Sequence, residues 1–81
     1  MNSDIRLHDL VALLVDMPAK DFETDQPLLL RRGQLGTVVM TYDGETVEVE
    51  FADALGRTYA SLPVPGDRLM RLRDAPDRAV A

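Results

Sequence analysis

The sequence contains no cysteine and a single histidine among its 81 residues. The lack of cysteine excludes disulfide bonds, thiol chemistry and zinc–thiolate sites, and it fits a cytoplasmic protein. No hydrophobic run approaches the roughly 20 residues of a membrane-spanning helix, and no secretory signal is present. We therefore expect a cytoplasmic protein with no membrane partner.

Positive charge is also scarce. Nine Lys and Arg residues face 14 Asp and Glu residues, so the formal net charge is −5. An acidic chain repels phosphate backbones, and nucleic acid is therefore an unlikely partner. A chain of this length forms one small domain, which buries only about 60–65% of the surface of its unfolded state.

Residues that carry chemistry are few and scattered. His8 is the only histidine, and the only serines, Ser3 and Ser61, lie in no Gly-x-Ser-x-Gly motif. Gly33 and Gly36 are followed by a β-rich run and by no Gly-Lys-Ser/Thr sequence, which excludes a phosphate-binding loop. We expect no catalytic residue, no metal site and no cofactor, and hence no enzyme.

The clearest structural pattern runs from Gly33 to Leu62 and predicts a three-stranded antiparallel meander. Asp43-Gly44 predicts a two-residue type I′ turn, which needs positive φ at both positions. This turn places Thr37 opposite Glu50, Val38 opposite Val49, and Met40 opposite Val47. The expected core face then consists of Val38, Met40, Val47, Val49 and Phe51, with Phe51 over Gly36.

The second hairpin has a loop from Asp53 to Gly56, in which Gly56 is expected to be left-handed. This loop places Phe51 opposite Thr58, Glu50 opposite Tyr59, and Glu48 opposite Ser61. Both hairpins assign the same face to the core, and this agreement is the strongest evidence for the meander.

The flanking segments are less regular. Residues 4–16 fit either a helix, capped by Ser3 and ended by Pro18, or a strand. The segment Met17–Arg32, which contains Phe22, reads as a long loop. Pro63 and Pro65 exclude a central strand and predict a tight turn or single 3₁₀ turn before a short closing strand over residues 69–72, followed by a flexible tail over residues 74–81.

Several stretches resemble the DUF4926 family, a domain of unknown function in small bacterial proteins. They are Asp9-Leu10-Val11-Ala12-Leu13-Leu14, Arg32-Gly33-Gln34-Leu35-Gly36-Thr37-Val38-Val39, Val49-Glu50-Phe51-Ala52-Asp53, Gly56-Arg57-Thr58-Tyr59-Ala60 and Leu69-Met70-Arg71-Leu72. The resemblance implies an all-β, five-stranded SH3-like barrel over residues 5–73, with residues 10–14 as its first strand. It also implies no established activity, no catalytic residues, and a role beside a partner protein.

The polar face of the meander is the main functional candidate. The predicted registers place Glu48, Glu50 and Tyr59 together on it, and a tyrosine among acidic groups suits contact with a basic protein surface. The ordinary alternative is a solvated polar face. Phe22 is a second candidate contact, located in the long loop. We therefore expect a non-catalytic protein-binding module.

Two other functions stay open at this point. Arg32-Gly33 resembles the start of small barrels that bind RNA, and Arg31, Arg32, Arg71 and Arg73 would form a basic patch if they met on one face. The other alternative is an accessory subunit of an enzyme.

Overall fold

The computed structural model describes residues 5–77, and nearly all of its regular structure is β. The strands are β1 (Leu10–Leu13), β2 (Met17–Lys20), β3 (Pro27–Leu30), β4 (Leu35–Thr41), β5 (Thr46–Ala52), β6 (Thr58–Pro65) and β7 (Leu69–Arg71), with a 3₁₀ turn over Gly66–Arg68. The expected all-β class is confirmed.

The strands form two sheets, a five-stranded one in the order β6-β5-β4-β1-β7 and the two-stranded hairpin β2-β3. The prediction of five strands closed into a barrel is wrong in both respects. The described residues form seven strands, because the expected loop folds into a hairpin of its own. Among residues 5–77 no strand pairing joins β6 to β7, so the larger sheet keeps two edges.

The segment over residues 4–16, which fitted either a helix or a strand, contains the strand β1 at Leu10–Leu13, as the resemblance implied. Residues 10–13 pair with both β4 and β7, and no helix occurs in the described part of the segment, which begins at Ile5. Val11 and Leu13 point into the core, where they are fully buried. Burial between two neighbouring strands outweighs the weak helical spacing. Ser3, the expected helix cap, lies outside the described residues.

The predicted long loop over residues 17–32 is wrong. Met17 pairs with Leu30 and Lys20 with Pro27, and prolines are tolerated here because each strand has a free edge. At the turn, the Asp21 carboxylate accepts hydrogen bonds from the backbone N–H groups of Glu23 and Thr24, each at 2.9 Å. This side-chain cap closes the hairpin.

The meander is confirmed, and β4 and β5 begin in the predicted register. Thr37 lies opposite Glu50 and Val38 opposite Val49. A bulge at Val39 then shifts the register, so Met40 lies opposite Glu48 instead of Val47. The expected place of Met40 in the core is therefore wrong, and its side chain is exposed.

The turn between β4 and β5 also differs from the prediction. Neither Asp43 nor Gly44 has a positive φ in the described chain, so the turn is not type I′. Instead, the Asp43 carboxylate accepts the backbone N–H groups of Glu45 and Thr46, each at 2.8 Å. The carboxylate cap stabilises a longer loop that the Asp-Gly signal alone does not distinguish.

The second hairpin contains another irregularity. Phe51 lies opposite Ala60, Glu50 opposite Ser61, and Glu48 opposite Pro63. The predicted partners of these three residues, which were Thr58, Tyr59 and Ser61, are therefore wrong. The register shifts between Ala52 and Phe51, which leaves Tyr59 as the extra, bulged residue. Gly56 has the predicted left-handed backbone, with φ of 82°.

The prolines after Leu62 do not end the strand as predicted. β6 continues through Pro63 and Pro65, which lie opposite Glu48 and Thr46. β6 is an edge strand, and a proline can sit there with the side that lacks an N–H facing outward. The predicted 3₁₀ turn and closing strand are confirmed at Gly66–Arg68 and Leu69–Arg71.

The core lies between the inner face of the large sheet and the small hairpin. Its buried members are Val11, Leu13, Leu30, Val38, Val47, Val49, Phe51, Ala60, Val64 and Leu69. No polar side chain is buried among residues 5–77. The predicted tail over residues 74–81 lies partly outside the described residues, and the boundary at residue 73 stays a prediction.

Candidate functional site

The outer face of β5 carries two carboxylates. Thr46, Glu48, Glu50 and Ala52 alternate with the buried Val47, Val49 and Phe51, because successive side chains of a strand point to opposite faces. Glu48 and Glu50 therefore lie on one face, about 7 Å apart along the strand. The predicted position of both residues on the polar face is confirmed.

Two neutral hydroxyl groups donate hydrogen bonds to the Glu48 carboxylate. The Tyr42 hydroxyl donates a hydrogen bond to Glu48 Oε1 at 2.5 Å, and the Ser61 hydroxyl donates one to Glu48 Oε2 at 2.7 Å. Both oxygens are thus oriented, and neither donor removes the negative charge. Hydroxyl donors to a carboxylate form short, comparatively strong hydrogen bonds.

Glu50 is arranged in a similar way. The Thr58 hydroxyl donates to Glu50 Oε1 at 2.8 Å. The ion pairs of the described residues are Lys20–Asp25, Arg31–Asp16, Arg71–Asp9 and Arg73–Asp77. None of these pairs includes Glu48 or Glu50. The outer face of β5 therefore presents two hydrogen-bonded carboxylates, neither of which forms an ion pair with a described residue. We call Glu48 and Glu50 the acidic pair.

Tyr42 is an aromatic member of this site that sequence reasoning missed. The hydrogen bond to Glu48, followed by desolvation and by the charge of Glu48, raises the pKa of Tyr42 above its ordinary value of 10.0. The hydroxyl therefore stays protonated and continues to donate. Its position beside Glu48 depends on the loop geometry, so a tyrosine directly before the predicted Asp43-Gly44 turn was the only available signal.

Replacing Glu48 with glutamine is expected to lower the pKa of Tyr42 toward its ordinary value, because the charge that favours the neutral phenol is removed. Ultraviolet titration of the phenolate band measures this pKa, and Tyr42→Phe identifies which tyrosine titrates. Because the pKa is raised in the folded state, the bond stabilises the fold below about pH 10 and its contribution is lost as the pH rises through the folded pKa. An unchanged titration of Tyr42 would show that its hydroxyl does not donate to Glu48.

Tyr59 does not join the acidic pair. As the bulged residue of β6, it packs against the core, and its hydroxyl accepts a hydrogen bond from Gln34 Nε2 at 2.6 Å. Its carbonyl oxygen accepts the backbone N–H of Phe22 at 2.7 Å. The Phe22 side chain itself is 66% exposed. The four predicted contact residues thus form two pairs, the acidic pair on β5 and the pair Phe22–Tyr59 where the small hairpin meets β6.

The other residues that the sequence singled out form no comparable site. A groove of about 440 Å³ lies between residues 8–10 and 71–74. Inside it, the Asp9 carboxylate accepts the backbone N–H of Arg6 at 2.8 Å and pairs with Arg71 Nε at 3.3 Å. The hydroxyl of Ser61 is bonded to Glu48, so it is not arranged as a nucleophile with His8.

Most arginines of the predicted basic patch form ion pairs with carboxylates. Arg31 Nε pairs with Asp16 at 3.4 Å, and Arg73 pairs with Asp77 at 3.9 Å. Together with Arg71 and Asp9, three of the four arginines are thus matched with a carboxylate. The RNA-binding alternative stays a prediction.

Two further searches concern metals and membranes. Across residues 5–77 no three His, Asp or Glu side chains come close enough together to hold a metal ion. The same part of the chain contains no helix with the length and apolar character needed to cross a membrane. The predicted cytoplasmic location stays a prediction.

The fold and the site define an all-β domain with an acidic outer sheet face. The chain belongs to the family described as "Domain of unknown function (DUF4926)", whose match covers residues 7–71. This confirms the family that the sequence motifs indicated. No curated protein and no solved structure matches the chain significantly.

Proposed function

We propose that this chain is a non-catalytic protein-binding module, and that its acidic pair contacts a basic surface of a partner protein. The observation that carries the proposal is the Glu48 carboxylate, which two neutral hydroxyls orient and which no cation of the described residues neutralises. A cationic side chain of a partner would form an ion pair with this carboxylate.

Charge complementarity supports the choice of partner. Acidic groups on the contact surface speed the encounter with a basic protein, and the effect weakens as salt is added. The formal net charge of −5 acts in the same direction. The hydroxyl donors fix Glu48 before the partner arrives, so little side-chain entropy is lost on binding.

The aromatic contact on this surface is assigned to Tyr42 in place of Tyr59. Tyr42 is exposed and bonded to Glu48, whereas Tyr59 is half-buried under the small hairpin. Exposed tyrosines often serve as anchors in interfaces. Phe22 is a separate contact candidate, outside the acidic pair.

The test uses the product of the neighbouring gene as the first candidate partner, with purified proteins and the equilibrium Kd measured at low and high salt. Glu48→Lys with Glu50→Lys is expected to weaken binding, and to do so more at low salt than at high salt. Tyr42→Phe removes one donor and is expected to weaken binding less than the double charge reversal.

The matched control is Glu23→Lys with Asp67→Lys, which changes the net charge by the same amount at two exposed positions off the outer face of β5. This control is expected to lose less affinity than the double variant of the acidic pair. Equal losses would show a non-specific effect of net charge. Normal binding by the double variant, combined with loss in Phe22→Ala, would move the contact to the tip of the small hairpin.

For the fold, we also propose an open relative of the SH3-like barrel. The support is the order of the elements: a first strand, a hairpin, a three-stranded meander, a 3₁₀ turn, and a short last strand that pairs with the first. An experimental structure with a different strand order would contradict this assignment.

A further inference from the structure

Three large aliphatic side chains lie exposed on the outer face of the five-stranded sheet, away from the acidic pair. Leu35 on β4, Leu10 on β1 and Met70 on β7 are 54%, 49% and 52% exposed. None of them belongs to the core cluster or packs against it. Single exposed aliphatic residues are ordinary, but a contiguous group of them is not.

The strand registers show that the three residues are neighbours. Ala12 lies opposite Leu35 on one side and opposite Met70 on the other. Leu10 lies two residues before Ala12 on the same face of β1. We call Leu10, Ala12, Leu35 and Met70 the aliphatic patch.

The side chains of the patch differ in size across the three strands. Its middle position is Ala12, the smallest of the four side chains, and longer side chains stand on both neighbouring strands. Adjacent strands are about 4.8 Å apart, so Leu35 and Met70 are separated by roughly 10 Å. Ala12 is therefore the position of the patch over which an aliphatic side chain of another molecule would fit.

The aliphatic patch continues directly into the acidic pair. Leu10 lies opposite Thr37, and Thr37 lies opposite Glu50. One row across β1, β4 and β5 therefore passes from an exposed leucine through a threonine to a carboxylate. Glu48 follows on the same face of β5. The outer face of the sheet thus carries an apolar half and an acidic half side by side.

From this arrangement we infer that the partner is recognised through an amphipathic segment, in which aliphatic side chains seat on the aliphatic patch and a neighbouring lysine or arginine reaches the acidic pair. The assignment of the charged contact rests on the proposed function, and the assignment of the aliphatic contact does not. The apolar half supplies the less salt-dependent part of the affinity. The acidic half favours partner segments that carry a positive charge beside their aliphatic side chains.

A synthetic peptide with leucine and lysine at helical spacing serves as the probe. Two analogues isolate the contributions: one has glutamate in place of lysine, and the other has serine in place of leucine. We expect the leucine–lysine peptide to bind about tenfold more tightly than either analogue. Its addition should shift the amide resonances of Leu10, Ala12, Leu35 and Glu50 in a ¹⁵N spectrum.

Variants of the protein separate the two halves of the face. Leu35→Ser with Met70→Ser is expected to weaken binding of the leucine–lysine peptide about tenfold at both low and high salt. Leu55→Ser is the matched control, since Leu55 is 91% exposed on the turn between β5 and β6 and lies off the patch. It should bind as the unaltered chain does.

The outcomes distinguish the two proposals. If Leu35→Ser with Met70→Ser binds normally while the acidic-pair variant does not, the aliphatic contact is overturned and the proposed function stands. If Leu35→Ser with Met70→Ser binds the leucine–lysine peptide weakly and Glu48→Lys with Glu50→Lys binds it normally, the proposed function fails at its charged contact. If the chain sediments as a dimer that Leu35→Ser dissociates, a second copy covers the patch and the inference is wrong. Equal binding of all three peptides also overturns it.

Discussion

Val49→Asp is expected to abolish folding. Val49 is fully buried at the centre of β5, between Val38 on β4 and Leu62 on β6. A carboxylate at this position would be surrounded by aliphatic side chains without a partner, because no polar side chain is buried among the described residues. Burying an unpaired charge costs several kcal/mol, which is comparable to the whole stability of about 5–15 kcal/mol of a domain.

The measurement is a pair of circular dichroism melts and ¹⁵N spectra, with Glu48→Ala as the adjacent control. Glu48 points to the outer face, and its hydroxyl partners can bond to water once the carboxylate is gone. We expect Glu48→Ala to lower the free energy of unfolding by no more than about 1 kcal/mol. Equal losses in the two variants would show that the inner and outer faces of β5 were assigned wrongly.

The inner face of the meander could be predicted from the sequence because alternation is a local signal. Val47, Val49 and Phe51 alternate with polar residues, and all three are buried. This assignment survived an error in the second hairpin, where Phe51 lies opposite Ala60 and not Thr58. A register error of two residues moves a partner along the strand without moving it to the other face.

Bulges explain most of the failed details. A bulge adds one residue to a strand, so each residue beyond it exchanges faces relative to a regular ladder. Met40 thereby leaves the core face. In the second hairpin the register is already one residue off at Ala52, which lies opposite Thr58, and the bulge at Tyr59 adds the second residue of the error. Neither Val39 nor Tyr59 is a glycine or another residue that marks a bulge, so the local sequence contained no signal for either shift.

The small hairpin was missed for a different reason. Proline is typical of loops, although Pro18 and Pro27 each lie in a strand with a free edge. Burial alternates along Leu28, Leu29 and Leu30, of which only Leu29 is exposed. Alternation in such a short apolar run cannot be seen from residue types alone, because all three residues are leucine.

The two halves of the candidate site differ in how far they could be predicted. The acidic pair follows from alternation within β5, whereas the hydroxyl donors to Glu48 come from the turn after β4 and from β6. The aliphatic patch is assembled from β1, β4 and β7, which are distant in sequence. Pairing between distant strands is not encoded in any local pattern, so only the folded chain shows that Leu35 and Met70 flank Ala12.

Gly36→Ala is expected to destabilise the fold by about 1–3 kcal/mol, as overpacking in a core does. Gly36 is buried on β4, and a Cβ atom built there would lie 2.5 Å from Val49 Cγ1 and 2.9 Å from Phe51 Cε1. Both neighbours are fully buried and have no free space to move into. The close approach of Phe51 to Gly36 was predicted from the sequence, and the geometry confirms it. Thermal and denaturant unfolding measure the loss of stability.

Gly44→Ala provides the matched control for this change. Gly44 lies in the turn after β4, nothing lies within 4 Å of a Cβ built there, and its φ is not in the left-handed region. The free energy of unfolding should therefore stay within about 0.5 kcal/mol of that of the unaltered chain. Combining Gly36→Ala with Val49→Ala removes the nearest clashing atom, so the double variant should be more stable than the sum of the two single losses by about 1 kcal/mol. Strict additivity, or an equal loss in Gly44→Ala, would show that contact with Val49 is not the cause of the destabilisation.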